Sequence, residues 1–297
     1  MVVSAGTTAR TTGTTPGIRE AYQWCRAYTA AHQENFTVVS WLLPKRLRHH
    51  FWALYAYCRW TDDLGDEAEG DRLALLDDWE RRVRACWAGQ AEEPLFVALA
   101  HTAVRCQLPL DPFLRLIEAN RMDQRITRFD TYDDLLHYCQ HSATPVGQMV
   151  LGVLGYRGEE HVARSDDICI GLQLANFWQD VSVDWAKGRL YLPLEDLRRF
   201  GVGEDVIDRR EPTPAFRRLM QFEVDRAAAF FRRGRALEGM VGREARLDIQ
   251  LFRRGGEAVL DAIRARRYDV LTGRPRIPRW KRAWIGAAGA ARILLHV

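Results

Sequence analysis

Two acidic clusters, Asp62-Asp63-Leu64-Gly65-Asp66 and Asp180-Val181-Ser182-Val183-Asp184, place carboxylates four residues apart inside segments that otherwise read as buried helix. On a helix, residues i and i+4 lie one above the other, so each cluster stacks negative charge on one face. In water such a pair costs little. At an effective dielectric of about 20, two charges about 6 Å apart repel by roughly 3 kcal/mol. Two such pairs set among aromatic residues call for a cation.

The first cluster belongs to a stripe. Tyr55, Arg59, Asp62 and Asp66 are spaced by four, three and four, with Phe51, Leu54 and Cys58 close beside them. An aromatic ring, a guanidinium and two carboxylates on one face make neither a core stripe nor an ordinary solvated one. The plain alternative is an Arg–Asp surface pair, worth about 0.3–0.5 kcal/mol. In the second cluster Asn176, Asp180 and Asp184 step by four amid Leu172, Leu174, Phe177, Trp178, Val181 and Trp185. Oxygen-bearing side chains in a row suit Mg²⁺, which prefers oxygen ligands, keeps several waters and commonly completes its shell with substrate phosphates. Two rows and an arginine predict a polyphosphate clamp.

The elements that must position these groups are helices. Apolar residues recur at helical spacing almost throughout, and alternating runs are scarce. The pattern predicts helices over about 18–32, 46–66, 71–88, 93–106, 111–124, 131–154, 160–185, 193–200, 212–240, 243–270 and 278–293. Breaks fall near Glu34-Asn35 and Pro44, and turn signals elsewhere include Gly89, Pro109, Gly155 to Gly158, Gly188, Gly201 to Gly203 and Pro212 to Pro214. No internal repeat or long linker divides the chain. The expectation is a disordered leader over 1–17, rich in Thr, Gly and Ala, followed by one all-α domain over 18–297.

With 297 residues the chain can bury a sizeable core, and its net charge is +4. Arginines crowd the C-terminal third, at Arg264 to Arg267 and from Arg274 to Arg282, where they could meet phosphates, an anionic membrane surface or nucleic acid, or simply be solvated. The six cysteines show no metal-ligand spacing and read as reduced, buried thiols of an intracellular protein. No apolar run is long enough to span a membrane, and the apolar end from Trp284 to Val297 is expected to dock on the core rather than lie on a bilayer. There is no G-x-x-x-x-G-K-[ST], and Gly201-Val202-Gly203 has Val206 where a dinucleotide loop needs glycine. No nucleic-acid-binding motif is present, and nucleic acid is not expected as a partner. Helices, aromatics and small residues instead suit a long apolar pocket closed at one end by metals, which points to an isoprenoid diphosphate.

The residues from about Tyr22 to Arg282 resemble the squalene/phytoene synthase family. Phe51 to Asp63 is similar to its first signature, Y-x-x-C-R-x-x-D-D. Asn176 to Asp184 together with Gly188-Arg189-Leu190-Tyr191-Leu192-Pro193 is similar to its second. Glu34-Asn35-Phe36, Tyr138 to Gly147 and Asn176 to Val181 resemble the bacterial hopanoid-pathway branch that makes hydroxysqualene. Squalene and phytoene synthases usually read V-A-G where this chain has Ser142-Ala143-Thr144, and Arg where it has Gln179. His141 departs as well, from a position commonly aromatic.

The resemblance implies an isoprenoid-synthase helical bundle and an isoprenoid diphosphate held on Mg²⁺. Asp62, Asp66, Asn176, Asp180 and Asp184 would hold the metal, with Asp63 behind them. Arg59 and Arg189 would bind the diphosphate, with Lys187 and Arg274 as weaker partners. Tyr55, Phe51, Phe177 and Trp178 would line the hydrocarbon site or simply be core, and each of Gln179 and His141 would bear on the substrate, although a satisfied core histidine is an equal reading for His141. The implied reaction is ionisation and rearrangement of presqualene diphosphate with water capture, without NADPH. The alternatives are head-to-head condensation of two farnesyl diphosphates and a non-catalytic isoprenoid-binding subunit. The expected setting is the cytoplasm, with peripheral contact at the inner face of the membrane and with pathway neighbours.

Overall fold

The computed structural model describes residues 16–32 and 45–277. The expected leader up to residue 15, Glu34-Asn35-Phe36, Pro44 and the expected helix over 278–293 lie outside the described residues. The described residues carry thirteen helices and no strand, so the all-α expectation holds. The helices are α1 (Ile18–Ala31), α2 (Arg48–Asp66), α3 (Arg72–Trp87), α4 (Pro94–Cys106), α5 (Asp111–Asp123), α6 (Tyr132–Ser142) and α7 (Thr144–Leu154). There follow α8 (Glu159–Ala186), α9 (Leu194–Phe200), α10 (Glu204–Asp208), α11 (Pro214–Gly234), α12 (Leu237–Met240) and α13 (Arg243–Ala265).

Local chemistry sets most of the boundaries. Asp71 and Thr213 accept the backbone N–H of Ala74 and Phe216, and Thr131 forms a reciprocal capping box with Asp134. The predicted helix over 131–154 is two helices broken at Ala143, a correction with a clear cause. Pro145 has no N–H to give back to His141, so the helical ladder is interrupted there. The predicted helix over 212–240 likewise divides after Gly234, and that over 243–270 ends at Ala265, beyond which Arg267 and Tyr268 take positive φ. The short α10 carries no separate sequence signal.

The chain divides into two compact units that interleave in sequence: residues 1–125 with 144–158, and 126–143 with 159–297. In the first unit α2 packs against α1, α3, α4, α5 and α7. Trp79 lies between Tyr57 and Trp60, both ring pairs near-parallel at 6.0 Å, and donates its indole N–H to Thr61 Oγ1 at 2.9 Å. In the second unit α8 packs against α11 and α13. Phe231 of α11 fills a notch made by Gly171 and Gly256, where an added Cβ would approach the ring to 2.9 and 2.3 Å. These two helices, α2 and α8, each carry one acidic row.

Candidate active site

The first row is held near the C-terminal end of α2. Asp62 Oδ1 accepts from Asn120 Nδ2 of α5 at 3.4 Å. Asn120 reaches that position because Gly65 has no side chain: a Cβ there would lie 2.1 Å from Asn120 Oδ1. The Gly65 carbonyl in turn accepts from Gln124 at 2.9 Å. Asp62 is exposed to solvent, yet crowding by protein atoms lifts its pKa to about 7. The Asn120 hydrogen bond and Arg59 oppose that lift, and Asp66 and Asp63 add to it. Water still reaches the side chain, which limits the effect.

Arg59 does not point along the predicted stripe. Its Nη2 donates to Glu67 Oε1 at 2.7 Å and lies 2.7 Å from Asp63 Oδ1, an ion pair without hydrogen-bond alignment. Tyr28 of α1 donates to the other Asp63 oxygen at 3.0 Å. Asp63 is thus already engaged, whereas Asp62 Oδ2 and both oxygens of Asp66 accept no hydrogen bond from any described residue. Tyr55 is half-buried and donates its hydroxyl to the His32 carbonyl at 2.9 Å. Phe51, 3% exposed, belongs to the apolar core of this unit.

In the second row Asn176 is exposed and Asp180 and Asp184 are half-buried. Arg274 grips Asp180 with a fork: Nε bonds Oδ1, and Nη2 bonds Oδ2 at 2.8 Å. The neighbouring Gln179 is buried and donates to the Pro275 carbonyl at 2.6 Å, while its Oε1 accepts from Arg274 at 3.4 Å. Gln179 therefore ties down the segment that carries Arg274. Burial lifts Asp184 to a pKa of about 6, with Asp180 adding and Lys187, Arg189 and Arg274 opposing.

Lys187 and Arg189 lie on a tight turn whose backbone N–H groups both return to the Asp184 carbonyl, at 3.0 and 2.9 Å. Gly188 sits there at φ +81°, a conformation that costs other residues strain. Phe177 is buried in a near-parallel stack on Tyr191 at 3.8 Å, and Trp178 is fully buried core. His141 lies in the last turn of α6 and donates Nδ1–H to the His137 carbonyl at 2.9 Å, so that its Nε2 is the acceptor when the ring is neutral.

The donor set fits a hard divalent cation. Each row offers oxygen ligands only, and both Asp62 and Asp184 are held against neighbouring like charge. No cluster of three ligating His, Cys, Asp or Glu side chains is gathered among the described residues. A bound Mg²⁺ here would take Asp62 and Asp66 from one row, or Asn176, Asp180 and Asp184 from the other.

The sequence pattern of the family described as squalene/phytoene synthase matches residues 29–281. The chain belongs to this family. Its relatives include 15-cis-phytoene synthase of Synechococcus elongatus, 33% identical across 92% of this chain and 94% of that protein. Phytoene synthase of Arthrospira platensis is likewise 33% identical, across 90% and 92%. Among solved structures, squalene synthase HpnC from Alicyclobacillus acidocaldarius is 48% identical with a TM-score of 0.83, over 85% of this chain and 96% of that one. A dehydrosqualene synthase in complex with ligand has the same TM-score at 22% identity, over 93% and 97%, a likeness of fold. Family membership makes this an isoprenoid synthase.

Sequence reasoning missed two contacts, Asn120 to Asp62 and Tyr28 to Asp63. Tyr191 had been quoted only as part of a signature. Nothing in the pattern of α5 marks Asn120 as a partner of α2, whereas Tyr191 falls within a segment already singled out. No described helix is long and apolar enough to cross a membrane, and all six cysteines are free thiols, four of them buried.

Proposed function

We propose that this protein converts presqualene diphosphate and water to hydroxysqualene and diphosphate. The supporting observation is the pair of oxygen-only rows, one carrying a crowded Asp62 and the other an Asp180 held by arginine, in a chain 48% identical to a squalene synthase. Identity to the phytoene synthases is lower, at 33%. The neighbouring departures, Gln179 and Ser142-Ala143-Thr144, favour the hydroxysqualene branch.

In this reading the acidic rows serve diphosphate binding. Mg²⁺, when bound, would neutralise charge on the departing diphosphate oxygens. Asp62 and Asp66 would hold it on α2, or Asn176, Asp180 and Asp184 on α8, with Asp63 fixing Arg59 beside the first row. Arg59 beside the first row, and Arg189, Lys187 and Arg274 beside the second, are the donors of charge-assisted hydrogen bonds to diphosphate. The C–O bond breaks and its electron pair leaves with diphosphate. An aromatic ring face, of Tyr55 or of Phe177, steadies the cyclopropylcarbinyl cation as it rearranges, a cation–π contribution of about 0.5–2 kcal/mol. Water oxygen then bonds to carbon and the proton passes to solvent, so no reductant is consumed. We place the reaction in the cytoplasm, with the hydroxysqualene handed to a membrane or to the next enzyme.

The second reading is head-to-head condensation of two isoprenoid diphosphates, which the names of the synthase relatives favour. The test is product analysis. Presqualene diphosphate with Mg²⁺ and no NADPH should give an alcohol. Conversion of farnesyl diphosphate that stops at presqualene diphosphate, or a need for NADPH to give squalene, would overturn the assignment.

A further inference from the structure

The amino end of α2 carries a second, chemically opposite feature. A recess of about 590 Å³ is lined by Arg46 just before α2, His49 and His50 from its first turn, His101 and Arg105 from α4, and Arg157 after α7. All these residues belong to the first unit, and the lining contains no carboxylate. His50 lies twelve residues before Asp62, roughly 18 Å away at 1.5 Å per residue. The recess is therefore separate from the acidic row on the same helix.

Its floor is built rather than incidental. Tyr22 Oη lies 3.1 Å from His50 Nδ1, 2.9 Å from His101 Nδ1 and 2.9 Å from Thr102 Oγ1. His50 Nδ1 and Thr102 Oγ1 are 2.9 Å apart. With both Nδ1 atoms turned to this knot, the Nε2 atoms of His50 and His101 bond to no described residue. His50 is only 6% exposed. Arg157 is pinned by hydrogen bonds from Nη2 to the Cys106 and Gly152 carbonyls. Neither Arg105 nor Arg157 has a carboxylate partner among the described residues.

The positive field of this recess acts on its own members. Burial depresses His50 to a pKa of about 4, and His49, His101 and Arg105 push it the same way. His101 is lowered by burial and by Arg105. Burial raises the Cys106 thiol, and Arg157 and Arg105 oppose that rise. The first turn of α2 also lacks an acidic residue and a side-chain cap, so its N–H groups add to the same sign.

We propose that this recess is a phosphate-binding site, separate from the acidic rows, in which Arg105, Arg157, His49, His50 and His101 hold a phosphate group. Guanidinium and imidazole donors around an uncompensated cavity match the charge and acceptor geometry of that group. The volume accommodates inorganic phosphate, diphosphate or the phosphate of a lipid headgroup. The proposal stands independently of the reaction assigned above.

The test uses the full-length protein in chelator, so that the acidic rows do not recruit phosphate through metal. Inorganic phosphate is titrated at constant ionic strength against chloride, with the histidine C2–H NMR signals as the readout. The signals of His49, His50 and His101 should shift saturably, while His137 and His141 stay still. The double variant Arg105→Ser/Arg157→Ser, both exposed positions, should keep its circular dichroism and turnover and bind phosphate at least tenfold more weakly. A parallel arm sediments the protein with vesicles of phosphatidic acid or of phosphatidylcholine. Saturable response to free phosphate assigns a soluble ligand, and response only to phosphatidic acid assigns a lipid headgroup. An equal response to chloride, or unchanged binding in the double variant, would overturn the site.

Discussion

The two acidic rows share a spacing and differ in how their charge is balanced. On α8, Arg274 forks onto Asp180, so the row carries its own counter-charge. On α2, the nearby arginine is spent on Asp63 and Glu67, and Asp62 is left with an amide. Equal spacing thus produces unequal electrostatic strain. The demand for an external cation is greatest at Asp62.

The largest expected effect tests both rows together. Asp62→Asn and Asp180→Asn should each lower turnover by roughly 10²–10³-fold, the scale seen when one group that stabilises transition-state charge is removed. Stability should part them: Asp62→Asn raises the melting temperature by relieving repulsion, and Asp180→Asn does not, because Arg274 loses its partner. Equal melting shifts would erase the distinction, and normal turnover in either variant would overturn the metal-holding role of the rows.

A smaller contrast lies one residue before the last carboxylate of each row. Gly65 is buried against Asn120, whereas Val183 is exposed at 38%. Gly65→Ala should cost about 1–3 kcal/mol through overpacking, and Val183→Ala less than about 0.5 kcal/mol. Chemical denaturation of the two variants measures this directly.

Glu223 supplies a control carboxylate outside both rows. It is fully buried on α11, 3.4 Å from Arg226, which also bonds Asp196 at 2.6 Å. Burial lifts its pKa to about 9, with Arg226 opposing and Asp196 adding. A group that binds its proton more tightly when folded stabilises fully below its unfolded pKa of about 4.3. That stability is lost as pH rises through the folded value. Stability should therefore decline between about pH 4 and 9, and Glu223→Gln should flatten the decline without changing turnover. An unaltered slope would show that the proton is held elsewhere.

The helices and both rows were legible because 3.6-residue periodicity and the acidic spacing are local properties of the chain. The break at Ala143 was also written locally, in Pro145, but the apolar period running through it concealed the stop. The partners were another matter. Asn120 meets Asp62 only because α5 packs on Gly65, and Arg274 meets Asp180 from 94 positions away in sequence. Arg59 is a long flexible side chain that reaches either neighbour of a row, and it pairs with Asp63 and Glu67.

The kink at Ala143 also marks one of three places where the chain passes from one compact unit to the other, the others following Arg125 and Gly158. Neither unit is a contiguous stretch of polypeptide. A single cut therefore cannot release either intact: cleavage after Arg125 would strand α7 on the wrong fragment, away from the α2 and α5 surfaces that it covers. For anyone dividing this protein into pieces, or grafting one acidic row into a relative, the indivisible module is set by the order of crossings rather than by length.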